Sequence, residues 1–142
     1  MKVTDLMLND LVLYRGDVAK VIAITANGEV SLFVDGHIVA RFVYAEELSP
    51  ITLTPEILEK NGWKLISKTR YKLECSWGTG AVEEYADIHI YVGKDHSNVW
   101  RWDFPILNIH LYRGDIELTK FRYVHELQHA LKICGIKKEI VL

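Results

Sequence analysis

The sharpest chemical pattern in the sequence is His125-Glu126-Leu127-Gln128-His129. Two histidines four residues apart on a helix share one face and can hold one zinc ion, with the glutamate as general base toward zinc-bound water. On that reading the chain is a zinc-dependent metallopeptidase or hydrolase, with Glu126 catalytic and His125 and His129 as metal ligands. Three features oppose it. A catalytic zinc takes a third protein ligand and keeps a fourth position open. The extended metzincin form of the motif needs Gly at 132 and His at 135, where this chain has Lys132 and Gly135, and the one acid after His129, Glu139, falls beyond the helix cap. Helical periodicity places Phe121, Val124, Leu127, Leu131 and Cys134 on one apolar stripe and His125 and His129 on the opposite, solvated side. There Arg122 and Lys132 flank them, and fixed cations oppose Zn²⁺ electrostatically. His89 and His110 alternate onto the polar faces of strands whose apolar residues, Ile88, Ile90, Leu107, Ile109 and Leu111, face the helix. Stacked layers then keep them more than about 10 Å from the helical pair. The expectation is a helix face that spells the motif without binding metal, and no cofactor.

Other candidates are weaker. Leu-Tyr-Arg-Gly-Asp occurs twice, with the tripeptide at 15–17 and 113–115. Gly and Asp are favoured in hairpin turns, which accounts for both copies without an adhesion role. Cys134 lies on the apolar stripe and reads as a packed thiol. Cys75 sits in a turn-like segment, Glu74-Cys75-Ser76-Trp77-Gly78-Thr79-Gly80, and nothing places His96 or His110 beside it as the base of a nucleophile pair. Gly78-Thr79-Gly80 lacks the Lys-Ser/Thr and the following helix of a phosphate loop. Trp77, Trp100, Trp102, Tyr91 and Tyr112 read as packing in a small sheet, with an exposed aromatic platform for a peptide, glycan or protein as the alternative.

The elements that would position these residues fall into two parts. Residues 1–50 read as short strands: Val12–Tyr14, Val18–Thr25, Val30–Val34 and His37–Val43. Their turn signals are Arg15-Gly16-Asp17, Asn27-Gly28 (a type I′ signature) and Asp35-Gly36. So many tight turns in so short a stretch predict an SH3-like small β-barrel. Ser49-Pro50 then breaks the strand pattern. Thr54-Pro55-Glu56 starts a helix over about 54–61, with Thr as N-cap, Pro at the first position, an acid in the first turn, and Gly62 as the stop. Antiparallel strands follow over about 63–118, among them the strictly alternating Asp87–Val92 and Leu107–Tyr112 and a further strand at Val99–Asp103. The main helix runs from about 120 to 134, is stopped by Gly135, and precedes a short strand at Glu139–Leu142. Residues 51–142 thus form a small antiparallel α+β domain.

Composition bounds the function classes. The chain has 142 residues, 49% hydrophobic and 25% charged, which is an ordinary globular mix. Lys and Arg total 17 against 19 Asp and Glu, and two cysteines are too few for a disulfide scaffold. Residues 1–50 carry four basic and seven acidic residues, a net −3, while the remainder is net +1. An RNA-binding barrel needs a basic face, so nucleic acid is not an expected partner. No secretion-signal core or membrane-length apolar run is present, and the expectation is a soluble cytoplasmic protein.

The stretch from Pro50 to Trp63 and the ending from Tyr123 to Ile140 resemble a family of short uncharacterised proteins of gut anaerobes and their phages. Pro50-Ile51-Thr52-Leu53-Thr54-Pro55-Glu56-Ile57-Leu58-Glu59-Lys60-Asn61-Gly62-Trp63 is similar to its P-I-x-L-T-x-E-x-L-x-K-x-G-(F/W) segment. Tyr123-Val124-His125, Leu127-Gln128, Gly135 and Glu139-Ile140 are similar to its C-terminal Y-V-H-x-L-Q … G-x-E-(L/I) ending. The resemblance covers most of the chain, with the middle strands weakly matched. It implies that the helix ending is a structural signature and that Glu126 and His129 complete the zinc motif by accident in this member. It implies no activity. The function expected from the sequence is a non-enzymatic binding or adaptor module, of phage or mobile-element origin, with a protein or peptide partner and neither nucleic acid nor membrane; the alternative is the zinc hydrolase.

Overall fold

The computed structural model describes residues 1–34, 36–67, 70–77, 84–94, 100–111, 114–120 and 122–142; for residues 39, 74–77, 84–89, 91–94, 100–111 and 114–120 it describes the backbone alone. The protein is mainly β, with two antiparallel sheets and one main C-terminal helix. Two compact units are present: Met1–Thr52 with Tyr123–His125, and Leu53–Arg122 with Glu126–Leu142.

In the first unit, β1 (Leu11–Tyr14), β2 (Asp17–Ile24), β3 (Glu29–Val34), β4 (His37–Tyr44) and β5 (Leu48–Pro50) form one sheet in the order β4-β3-β2-β1-β5. A 3-10 turn at Ala45–Glu47 leads into β5, which returns to pair with β1. The ladder is open: among the described residues, no pairing joins β4 to β5. Alternation buries one face, and Leu6, Val12, Ala19, Val21, Val30, Leu32, Val43, Ala45 and Leu48 form its core.

Turn chemistry sets the register. Tyr14 pairs with Asp17 across Arg15-Gly16, whose φ values of +53° and +95° are those of a type I′ turn. The Arg15 guanidinium lies 5.0 Å from the centre of the Tyr14 ring. The first Arg-Gly-Asp is thus a hairpin turn running into β2. The expected two-residue turn at Asn27-Gly28 is corrected: only Gly28 has positive φ, and its N–H donates to the Thr25 carbonyl. The loop is therefore three residues, Ala26-Asn27-Gly28, a tight turn closed by a left-handed glycine. Gly36 supplies a positive φ before β4, while the expectation placed on Asp35 lies outside the described residues.

In the second unit, β6 (Lys64–Ser67), β7 (Arg70–Trp77), β8 (Glu84–Lys94), β9 (Trp100–Leu111) and β10 (Gly114–Lys120) form a meander in the order β10-β9-β8-β7-β6. Separate strands were expected at 99–103 and 107–112; β9 runs through both. Pro105 of β9 pairs with Val92 of β8, and among the described residues the pairing with β10 ends at Ile106.

Two helices complete the protein, α1 (Pro55–Lys60) and α2 (Val124–Ile133). Thr54 caps α1 by accepting from the Ile57 N–H. Both helices end in the same motif. Gly62 N–H donates to Glu59 and Trp63 N–H to Leu58; Gly135 N–H donates to Lys132 and Ile136 N–H to Leu131. Each glycine takes the left-handed conformation, and each apolar residue that follows is buried. The main helix starts at Val124 rather than near 120, because Lys120 is drawn into β10 opposite Ile106. The short strand expected at Glu139–Leu142 does not form.

Candidate functional site

The His-Glu-x-x-His segment lies in the first two turns of α2. Helix starts leave backbone N–H groups unsatisfied, and here that of Val124 has a partner outside the helix, while the N–H of Arg122 just before it is held from within. Val124 N–H donates to the Ile51 carbonyl, and Arg122 N–H donates to a Glu126 carboxylate oxygen at 2.6 Å. A carboxylate in the first turn also faces the positive end of the helix dipole. Glu126 therefore ties the residue just before the helix to the helix's first turn, a structural role that the sequence motif did not reveal.

His125 corrects the expectation of a solvated imidazole. It is 4% exposed and stacks on Tyr123, with ring centroids 5.8 Å apart and planes 10° from parallel. The reason is angular. At about 100° per residue, His125 stands a quarter-turn from Val124 and not opposite it, so it flanks the apolar stripe. Val124, Leu127 and Leu131 on that stripe are buried as expected, and Cys134 is half-buried. Burial pushes the Cys134 thiol above its ordinary pKa, consistent with an inert packed cysteine. His129 is half-buried, and Arg122 and Lys132 are exposed. His125 belongs to the first compact unit, Glu126 and His129 to the second. Among the described residues, no group of three His, Cys, Asp or Glu is assembled that could hold a metal ion.

The expectations placed on Gly78-Thr79-Gly80, His96, Tyr112 and Phe121 lie outside the described residues, and so do those on the side chains of Cys75, Trp77, His89, Tyr91, Trp100, Trp102 and His110. The second Arg-Gly-Asp is described only from Gly114, the first residue of β10.

Sequence reasoning did not single out the outer side of the first sheet. Phe42 is 62% exposed, with φ at +63°. A bulky aromatic in the left-handed region is a strained exception. It arises because Arg41 and Phe42 of β4 oppose the single Ser31 of β3, between the pairs Leu32–Ala40 and Val30–Val43. Ile38 and Tyr44 on the same strand are also exposed. In register, Ile38 stands opposite Phe33 and Tyr44 opposite Glu29, and Glu46 and Glu47 follow in the adjoining turn. A large apolar side chain on a solvent-facing strand is ordinary when isolated; here three stand exposed on one strand.

Comparison with protein-family models, with curated proteins and with solved structures finds no match to this chain.

Proposed function

We propose that the protein is a non-enzymatic binding module whose first unit is an SH3-like small barrel that docks a protein segment carrying apolar and basic side chains. The barrel reading is supported by five short antiparallel strands, tight turns, and a 3-10 turn before the last strand. The order β4-β3-β2-β1-β5 leaves β4 and β5 as the two edges that closure would bring together.

The observation that carries the docking reading is Phe42, held exposed in a strained conformation on an edge strand beside exposed Ile38 and Tyr44. Strain of this kind costs about 1–3 kcal/mol and clusters at functional positions. The register shifts of β4 also bear on the proposed mode of binding. A bulged edge is a poor template for adding another strand, so recognition is assigned to side chains and not to backbone pairing. The charge of residues 1–50 is net −3, and Glu29, Glu46 and Glu47 stand near Tyr44 along strand and turn. Carboxylates close to Tyr44 in register and sequence favour lysine or arginine in the partner, through ion pairing and cation–π contact.

The test uses fluorescence anisotropy with a labelled peptide alternating Lys or Arg with Leu or Phe, and its counterpart with Glu in place of each cation. The wild-type protein is expected to bind the basic peptide, more weakly as salt rises, and to discriminate against the acidic one. The double substitution Phe42→Ser and Tyr44→Ser should abolish binding. Equal binding of both peptides, or of neither, overturns the reading.

A further inference from the structure

The second sheet brings histidines and carboxylates together by register alone. Described residues fix its phase: Tyr71, Leu73 and Ile90 are buried, and Lys72 between the first two is half-buried. Tyr71 pairs with Ile90, and Leu73 with Ile88, so these positions define the core face. Lys72 stands on the other face, and paired residues of antiparallel strands share a face. Following the ladders outward from Lys72 reaches His89 and then Asn108; two residues along, the ladder reads Glu74, Asp87, His110 and Asp115. A step of two returns to the same face on every strand, so the two rows lie side by side.

Asp87 and His110 are thus directly opposed on β8 and β9, and Asp115 opposes His110 from β10. Directly opposed residues stand about 5 Å apart at Cβ, and diagonal neighbours such as His89 and His110 about 7–8 Å. One ion shared by two imidazoles can span such separations. Imidazole and carboxylate are also the donor set of zinc-class ions, in contrast to the all-oxygen sets of calcium and magnesium. Charge on this face favours a cation, since Glu74, Asp87, Asp115 and Glu117 outnumber Lys64 and Lys72 in the two rows.

We propose that this face of the second sheet binds one divalent transition-metal ion of the zinc class where the register juxtaposes Asp87, His89 and His110, with Asp115 as the neighbouring carboxylate. The site is separate from the helical His125 and His129 and draws on the alternation of two strands, not on a linear motif.

The experiment is a cobalt(II) titration followed by visible absorption, with zinc added afterwards to displace the cobalt. One ion per chain is expected, with the intense absorption of a low-coordinate site. His110→Ala and His89→Ala should each weaken binding by more than about tenfold, Asp87→Asn should weaken it while keeping side-chain shape, and His129→Ala should leave it unchanged. Metal-free urea melts of each variant establish that it is folded; should His110→Ala unfold, His110→Gln is read in its place. Absence of binding overturns the proposal, as does binding that survives every substitution on the sheet. Binding lost in His129→Ala and kept in His110→Ala assigns the ion to the helix and likewise overturns it.

Discussion

The side-chain amide of Asn61 pairs with the backbone of Val141 as a neighbouring strand would: its Oδ1 accepts from Val141 N–H at 2.8 Å, and its Nδ2 donates to the Val141 carbonyl at 2.7 Å. The same Nδ2 also donates to the Ile57 carbonyl within α1. Asn61 is 4% exposed, so these bonds form in a part-buried setting, and Lys60 adds a bond to the Leu142 carbonyl. Residues at the C-terminal end that were expected to form a strand are tied instead to the end of a two-turn helix.

Replacing Asn61 should therefore release the tail. Asn61→Leu keeps volume but leaves the Val141 N–H and carbonyl without their partners, at a cost of about 1–3 kcal/mol. Asn61→Asp retains the acceptor and loses the donor, and should fall between the two. Hydrogen exchange at Val141, with limited proteolysis of residues 136–142, checks this; an unchanged exchange rate in Asn61→Leu would refute it.

On the main helix, burial orders the expected losses. Leu131 is 1% exposed, and Leu131→Ala should cost about 2–5 kcal/mol. His129, half-buried, should cost about 1 kcal/mol or less as alanine. His125→Ala should exceed His129→Ala, because His125 is buried against Tyr123. Urea melts of the three variants measure the order, and equal losses from the two histidines would contradict the observed helix phase.

The start of α1 titrates with acid. A hydrogen bond from the Thr54 side chain, then one from the backbone, holds the Glu56 carboxyl below its ordinary pKa. A carboxyl lowered in the folded state contributes stability that is present above its ordinary range and lost as pH falls through the lowered value. Thr54→Val removes both the helix cap and this bond. It should cost about 1 kcal/mol at neutral pH and return the Glu56 titration upward. Carbon-detected NMR of the Glu56 carboxyl follows the shift, and an unmoved titration would exclude the bond.

Strain at Phe42 gives a prediction independent of any ligand. Glycine adopts positive φ freely, so Phe42→Gly should relieve about 1 kcal/mol of backbone strain at a residue that contributes little burial. A raised urea midpoint together with lost peptide binding would identify a position retained for recognition at the expense of stability. A lowered midpoint would show that the ring supports the fold.

Local chemistry accounts for the parts of the protein that can be read along the chain. The start of α1 and the C-terminal ends of both helices were legible because Thr54-Pro55 and the glycines at 62 and 135 act within one turn of themselves. Four strands of the first unit were legible within a residue or two, because period-2 burial and the Arg15-Gly16 turn are local signals; β5 was not, because Ser49-Pro50 reads as a break and becomes a strand only by pairing with β1. What lay beyond a few residues was decided by tertiary structure. Lys120 left the helix because a sheet partner at Ile106 was available, and the Val141 backbone found a side chain far away in sequence. Burial of His125 depends on what covers the flank of a helix, which a helical wheel does not contain. The strained Phe42 required two residues of β4 to oppose one of β3, a mismatch invisible in either strand alone. The face shared by Asp87, His89 and His110 likewise exists only once two alternating strands are set in register, since alternation fixes which residues share a face of one strand and pairing fixes which residues meet across two.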